Sequence, residues 1–199
     1  MRKKNTRNTK NRIISAAWKL FYEQGYDNTT IEDIIFESGT SKGSFYHYFD
    51  GKDALLSTLS TLFDDKYEEL RDVLDPEADA FLKLMFLNKE LFTMIENSVS
   101  LELLARLYST QLVTSGDKHL LDHKRTYYRL IREIALEAQK KGEIRDGVSV
   151  NEIVKAYALC ERALLYDWCL CNGEYSLQAY SERMMPVFLG SFFKRNKDM

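Results

Sequence analysis

Ser41, Lys42, Gly43 and Ser44, followed directly by Tyr46, His47 and Tyr48, crowd hydroxyls, a cation, an imidazole and two phenols onto one short segment. These groups give and take hydrogen bonds and carry one fixed positive charge. They contain no nucleophile paired with a base. Elsewhere the chain has no G-x-S-x-G, no phosphate-cradling glycine-rich loop, no H-E-x-x-H and no C-x-x-C. The chemistry on offer is recognition, and an enzyme is not expected. Hydroxyls and a lysine suit a phosphate backbone, with a few groups left over to meet base edges.

Positioning such groups requires rigid elements, and the surrounding "TTIEDIIFESGTSKGSFYHYF", residues 29–49, supplies them. Thr30 reads as the N-cap of a helix, with Asp33 completing a capping box and Ile31, Ile34 and Ile35 forming its buried face. Gly39 fits a left-handed turn residue, and Ser41 caps a second helix that runs to about Tyr48. Ahead of both lies a helix from about Thr9 to Gln24, with Ile13, Ala17, Leu20 and Phe21 on one face and Gly25 as its stop. Two helices across a short turn make a helix-turn-helix, whose second helix enters the DNA major groove with its N-terminal residues against the bases. Gly43 inside that helix costs about 1 kcal/mol relative to alanine, and close approach to another surface is a reason to keep it.

The stretches "AAWKLFYEQGYDNTTIEDI" and "SGTSKGSFYHYFDGKDALL" resemble the DNA-binding domain of the TetR family of bacterial transcriptional regulators over Ile13–Leu56. Ile35 and Ser38 stand where that family commonly has alanine, and Thr40 where it has valine. The resemblance implies an all-α protein with a helix-turn-helix domain at 1–54 (the motif at about 29–48) and an effector-binding and dimerisation domain at 55–199. It also implies that Thr30, Thr40, Ser41, Tyr46, Tyr48 and Lys52 meet the phosphate backbone, that Lys42, Gly43 and Ser44 face the bases, and that Phe45 and Phe49 are core. His47 is a backbone contact or a solvent-facing residue. The implied function is a homodimeric repressor released from a palindromic double-stranded operator by a small-molecule effector. The alternative is a DNA-binding protein of the same fold without an effector, acting architecturally or through a protein partner.

Charge and periodicity fill in the remainder. Net charge is −2, yet residues 1–53 hold nine Lys/Arg against seven Asp/Glu, and residues 1–12 hold six basic residues and no acid. A basic arm of this kind contacts phosphate or frays into solvent. A fourth helix opens at Asp50 or Gly51 and carries Leu55, Leu56, Leu59, Leu62 and Phe63. No glycine or proline follows before Pro76, so it reads as one long, stiff link to the second domain. Asp75-Pro76 reads as a cap, and further helices are expected at about 77–95, 99–114, 117–141, 150–172 and 176–194, about nine in all, with Pro186 kinking or breaking the last. The apolar run around 153–171 and the Phe188, Leu189, Phe192, Phe193 set suit a dimer interface made by the last two helices.

Glu161 and Arg162 interrupt that run and require partners, either structural or on a ligand. Phe86, Phe92, Tyr108, Tyr127, Tyr128, Tyr157, Tyr166 and Trp168 are candidates for an effector pocket or for plain core. No cofactor is expected. His119 and His123, four apart, have the spacing of a two-ligand metal site, but a solvated helix face accounts for them better. Cys160, Cys169 and Cys171 read as reduced thiols, with a redox role left open. No run is long enough to span a bilayer, and a cytoplasmic location is expected.

Overall fold

The computed structural model describes residues 2–113 and 118–194. The described residues form an all-helical protein: α1 (Arg2–Gln24), α2 (Ile31–Ser38), α3 (Lys42–Tyr48), α4 (Lys52–Leu56), α5 (Leu59–Val73), α6 (Ala80–Ser98), α7 (Leu101–Val113), a single 3-10 turn (His119–Leu121), α8 (Thr126–Lys141), α9 (Val150–Leu170) and α10 (Leu177–Leu189). They fall into two compact units, Met1–Thr61 with Glu102–His119, and Leu62–Leu101 with Leu120–Met199. The boundary expected at 54–55 does not coincide with this division, which assigns most of α7 to the helix-turn-helix unit. The chain thus passes between the units three times, at 61/62, 101/102 and 119/120.

In the first unit α2 packs on α1 and α3, and α1 also meets α3. Ile13, Ala17, Ile34, Phe45 and Leu55 are fully buried at its centre. Helix α1 begins at Arg2, so the basic segment expected as an arm is helical backbone. In the second unit α6 packs on α8 and α10, and α9 packs on the same two helices. Local chemistry sets the ends of these helices. Ser149 and Glu152 form a reciprocal capping box on α9, and Gly142 closes α8 at φ 73°.

Several expected boundaries are corrected. The long fourth helix is divided: α4 ends at Leu56 and α5 starts at Leu59. Hydroxyls are the reason. Ser57, Thr58 and Ser60 donate through Oγ or Oγ1 to the carbonyls three residues back, each at 2.6 Å, and the backbone tightens to i→i−3 bonds at Thr58, Ser60 and Thr61. Asp79 replaces Asp75 as the cap of α6, accepting from Leu82 N at 2.8 Å. Asp75 instead accepts from Glu77 N in the preceding turn. The helix expected over 117–141 is reduced to 126–141, so His119 sits on the 3-10 turn and His123 in the connection, with no shared helix face. Pro186 lies inside α10 without ending it, and the helix persists to Leu189.

Candidate nucleic-acid interface

The turn between α2 and α3 is held from three sides. Thr30 Oγ1 accepts from Asp33 N at 3.1 Å while Asp33 Oδ2 accepts from Thr30 N at 2.9 Å, and the hydrogen bonds from Thr30 hold the Asp33 carboxyl below its ordinary range. Gly39 sits in the left-handed region at φ 58° and donates its N–H to the end of α2. Arg12 reaches from α1 and donates to the carbonyls of Ser38 and Gly39, a cation at the negative end of α2. A Cβ at Gly39 would meet that guanidinium at 2.9 Å. Arg12, part of the basic segment expected either to contact phosphate or to fray, is a clamp on the turn.

The two polar departures from the family pattern compensate each other. Ser38 is 5% exposed, and its hydroxyl lies 2.8 Å from that of Thr40. Two apolar side chains are thereby replaced by a satisfied polar pair. Thr40 Oγ1 is turned toward this partner.

Helix α3 opens on Ser41, whose Oγ accepts from Ser44 N at 3.1 Å and lies 2.9 Å from Ser44 Oγ. Phe45 is its buried anchor, stacked edge-on against Tyr46 and tilted against Phe49. On the opposite side Lys42, Gly43, Tyr46 and His47 are exposed, and Ser44 and Tyr48 are partly so. Lys42 pairs with Glu32 at 3.2 Å, both ends being in solvent, so a competing polyanion meets little resistance. A Cβ at Gly43 would meet only Ser41 Oγ, at 3.9 Å. The protein's own interior does not require that glycine.

Lys52 is turned inward. Its Nζ donates to the carbonyls of Tyr26 at 2.6 Å and Thr29 at 2.8 Å and lies 4.2 Å from the Tyr26 ring centroid. Two of its three N–H groups stitch α4 to the α1–α2 connection. Sequence reasoning missed Asp27, Asp53 and Arg106. Tyr26 donates to Asp53, which together with burial raises the phenol's pKa. Arg106 of α7 pairs with Asp27 and lies over the Tyr26 ring. No local pattern marks a contact between residues 79 apart.

The residues proposed for an effector pocket separate into groups. Tyr127, Tyr157 and Glu161 come together with two residues not anticipated, Tyr67 and Asn88. Asn88 Nδ2 donates to Glu161 Oε1 at 3.0 Å, and Tyr67 OH lies 3.4 Å from both carboxyl oxygens. Burial raises the Glu161 carboxyl above its ordinary value, against hydrogen bonds from Asn88, Tyr127, Tyr157 and Tyr67 that pull it down. These four hydrogen-bonding partners are neutral side chains. Phe92 is fully buried and Phe86 partly so. Trp168 donates to Tyr175 O and packs on the Gly173 turn, a structural task. Tyr166 is 47% exposed on the outside of α9, and Tyr108 belongs to the other unit.

Tyr128 and Arg162 border a cleft of about 530 Å³ between α8 and α9 instead. Arg162 donates to Tyr128 OH at 3.1 Å, and the His123 ring leans on Tyr128. Burial pushes the Cys160 and Cys169 thiols up to about 11, away from the reactive thiolate.

Residues 13–59 match the sequence pattern of "Bacterial regulatory proteins, tetR family". Over these residues the chain carries the DNA-binding domain of the TetR family. A helix-turn-helix-type transcriptional regulator of Lactococcus lactis subsp. lactis is 52% identical over 48 residues, 24% of each chain. Two solved structures share the fold along nearly the whole length. FadR of Thermus thermophilus, a TetR-family repressor in complex with lauroyl-CoA, superposes with a TM-score of 0.78 at 22% identity, covering 95% of this chain and 97% of its own. FadR of Bacillus subtilis, in complex with stearoyl-CoA, gives 0.68 at 22%, covering 91% and 98%. No described helix is long and apolar enough to cross a membrane.

Proposed function

We propose that this regulator is a cytoplasmic homodimeric repressor, without enzymatic activity, that leaves a palindromic operator when it binds a small molecule of the fatty acyl-CoA type. The observation that carries the DNA reading is α3: a capped helix anchored by Phe45, with Lys42, Gly43 and Tyr46 exposed and a glycine that the interior does not need. Thr30, Ser41, Tyr46, Tyr48 and the third N–H of Lys52 serve the phosphates, and Lys42, Gly43 and Ser44 serve the bases. Thr40, paired with Ser38, has the weakest claim to such a role. The acyl-CoA class comes from the ligands of the two FadR proteins. A dimer is supported by apolar side chains left in solvent on the last two helices: Leu159, Tyr166 and Leu170 on α9, and Val187 and Phe188 on α10. Two copies of that face would remove it from water.

Selecting duplexes from a random pool, then titrating the winner by fluorescence anisotropy with and without lauroyl-CoA, tests the whole reading. The expected product is a palindrome with half-site centres about 10 bp apart or a multiple, bound by two chains and released by the acyl-CoA. Binding that shows no sequence preference at moderate salt would favour the architectural alternative.

A further inference from the structure

The cleft between α8 and α9 has no part in the DNA reading, and its charge is one-sided. Arg132, Lys155 and Arg162 line it, and no carboxylate does. Among the described residues none of the three is in an ion pair. Arg132 donates to Asn151 Oδ1 at 2.8 Å and Arg162 to Tyr128 OH, so each guanidinium is steadied by a neutral group that leaves its charge uncancelled. Three cations held around one concavity repel each other and attract anions from solution. His123 and Asn151 add neutral polar groups to the lining, and the inner wall is apolar, with Val154 and Ala158 buried behind the charged rim and the Tyr128 ring beside them. A volume of about 530 Å³ is that of a small-molecule site.

We infer that this cleft binds the phosphate groups of a small organic phosphate ester, with Arg132, Lys155 and Arg162 on the phosphate oxygens and Tyr128, Val154 and Ala158 against the carbon skeleton. The inference deepens the effector reading above, on which it rests, by placing the charged end of the effector. Arginine suits the role because its forked N–H groups match two phosphate oxygens at once.

Calorimetric titration of the full-length protein with free coenzyme A, and separately with inorganic pyrophosphate, provides the test. Wild type should bind both, and Arg132→Ala with Lys155→Ala should weaken coenzyme A by about tenfold or more while leaving thermal stability and ligand-free operator affinity unchanged. Equal binding by wild type and double variant overturns the inference. So does a wild type that binds neither probe. A double variant with weakened ligand-free operator binding also overturns it, by assigning these cations to DNA. Failure of the effector reading is seen separately, as an operator complex of wild type that ignores lauroyl-CoA even though coenzyme A binds in the cleft.

Discussion

A Cβ added at Gly43 would lie 3.9 Å from Ser41 Oγ and touch nothing closer. Gly43→Ala should therefore raise stability, by up to about 1 kcal/mol from helix propensity, while weakening operator binding. Thermal melts and anisotropy on the same preparation check both halves; unchanged DNA affinity would show that no surface approaches there. Lys52 carries two tasks. Loss of its two charge-assisted bonds to Tyr26 and Thr29 carbonyls should cost Lys52→Ala on the order of 2 kcal/mol. If the third N–H meets phosphate, the slope of log K against log salt also falls by about one. A stability loss with the slope unchanged would leave only the structural task. Glu161 makes a pH-dependent prediction. Its folded pKa is raised above 4.5, chiefly by burial, so the folded state holds the proton more tightly than the unfolded chain. Its contribution is most favourable below the unfolded value and is lost as pH rises through the folded one. Glu161→Gln, which keeps the shape and removes the charge, should raise the melting temperature at pH 8 relative to wild type and lose that advantage at pH 4. A constant difference across that range would mean the carboxyl is not the titrating group.

Among the elements, α4 and α5 alter the expected route from effector to DNA. The expectation of one stiff lever fails at Ser57, Thr58 and Ser60, whose hydroxyls compete for the helix's own carbonyls. The hydroxyl residue types mark that break, whereas the apolar spacing of Leu55, Leu59 and Phe63 taken alone reads as one continuous helix. Helix α7 offers a second route, because it enters the first unit from Leu101 and ties to it through Arg106 and Asp27. Arg106→Ala should change stability by less than about 1 kcal/mol, as expected of an exposed pair. It should raise the lauroyl-CoA concentration for half-release by on the order of tenfold, with ligand-free DNA affinity intact. Unchanged half-release would return the signal to α5. The contrast explains what the sequence disclosed. Thr30 with Asp33, Gly39 and Ser41 act on neighbours a few residues away, where spacing is geometry. Arg12 on the turn, Arg106 on Asp27, and Asn88 and Tyr67 on Glu161 join residues 26 to 94 apart, and no periodicity encodes such distances.

For the molecule as a whole, the exposed apolar face of α9 and α10 is the feature with the largest consequence for assembly. Leu159→Asp with Phe188→Asp places like charges opposite each other in any symmetric pair made through that face. Light scattering should show a monomer, circular dichroism an intact helical fold, and operator affinity a large loss, since each half-site alone binds weakly. A dimer that survives both changes would move the interface elsewhere. Helix α9 itself repeats one spacing three times. Tyr157, Glu161, Leu164 and Trp168 run along the buried side. Asn151, Lys155, Ala158 and Arg162 run along the cleft, while Leu159, Ala163, Tyr166 and Leu170 run along the exposed side. Each is an i, i+4, i+7, i+11 line, and on a helix of 3.6 residues per turn such lines share no residue. Descent with modification can therefore act on them one at a time. A lineage that meets a new metabolite can rewrite four cleft positions and inherit its fold and its assembly unaltered, so cousins of this regulator should diverge along one line of α9 while keeping the other two.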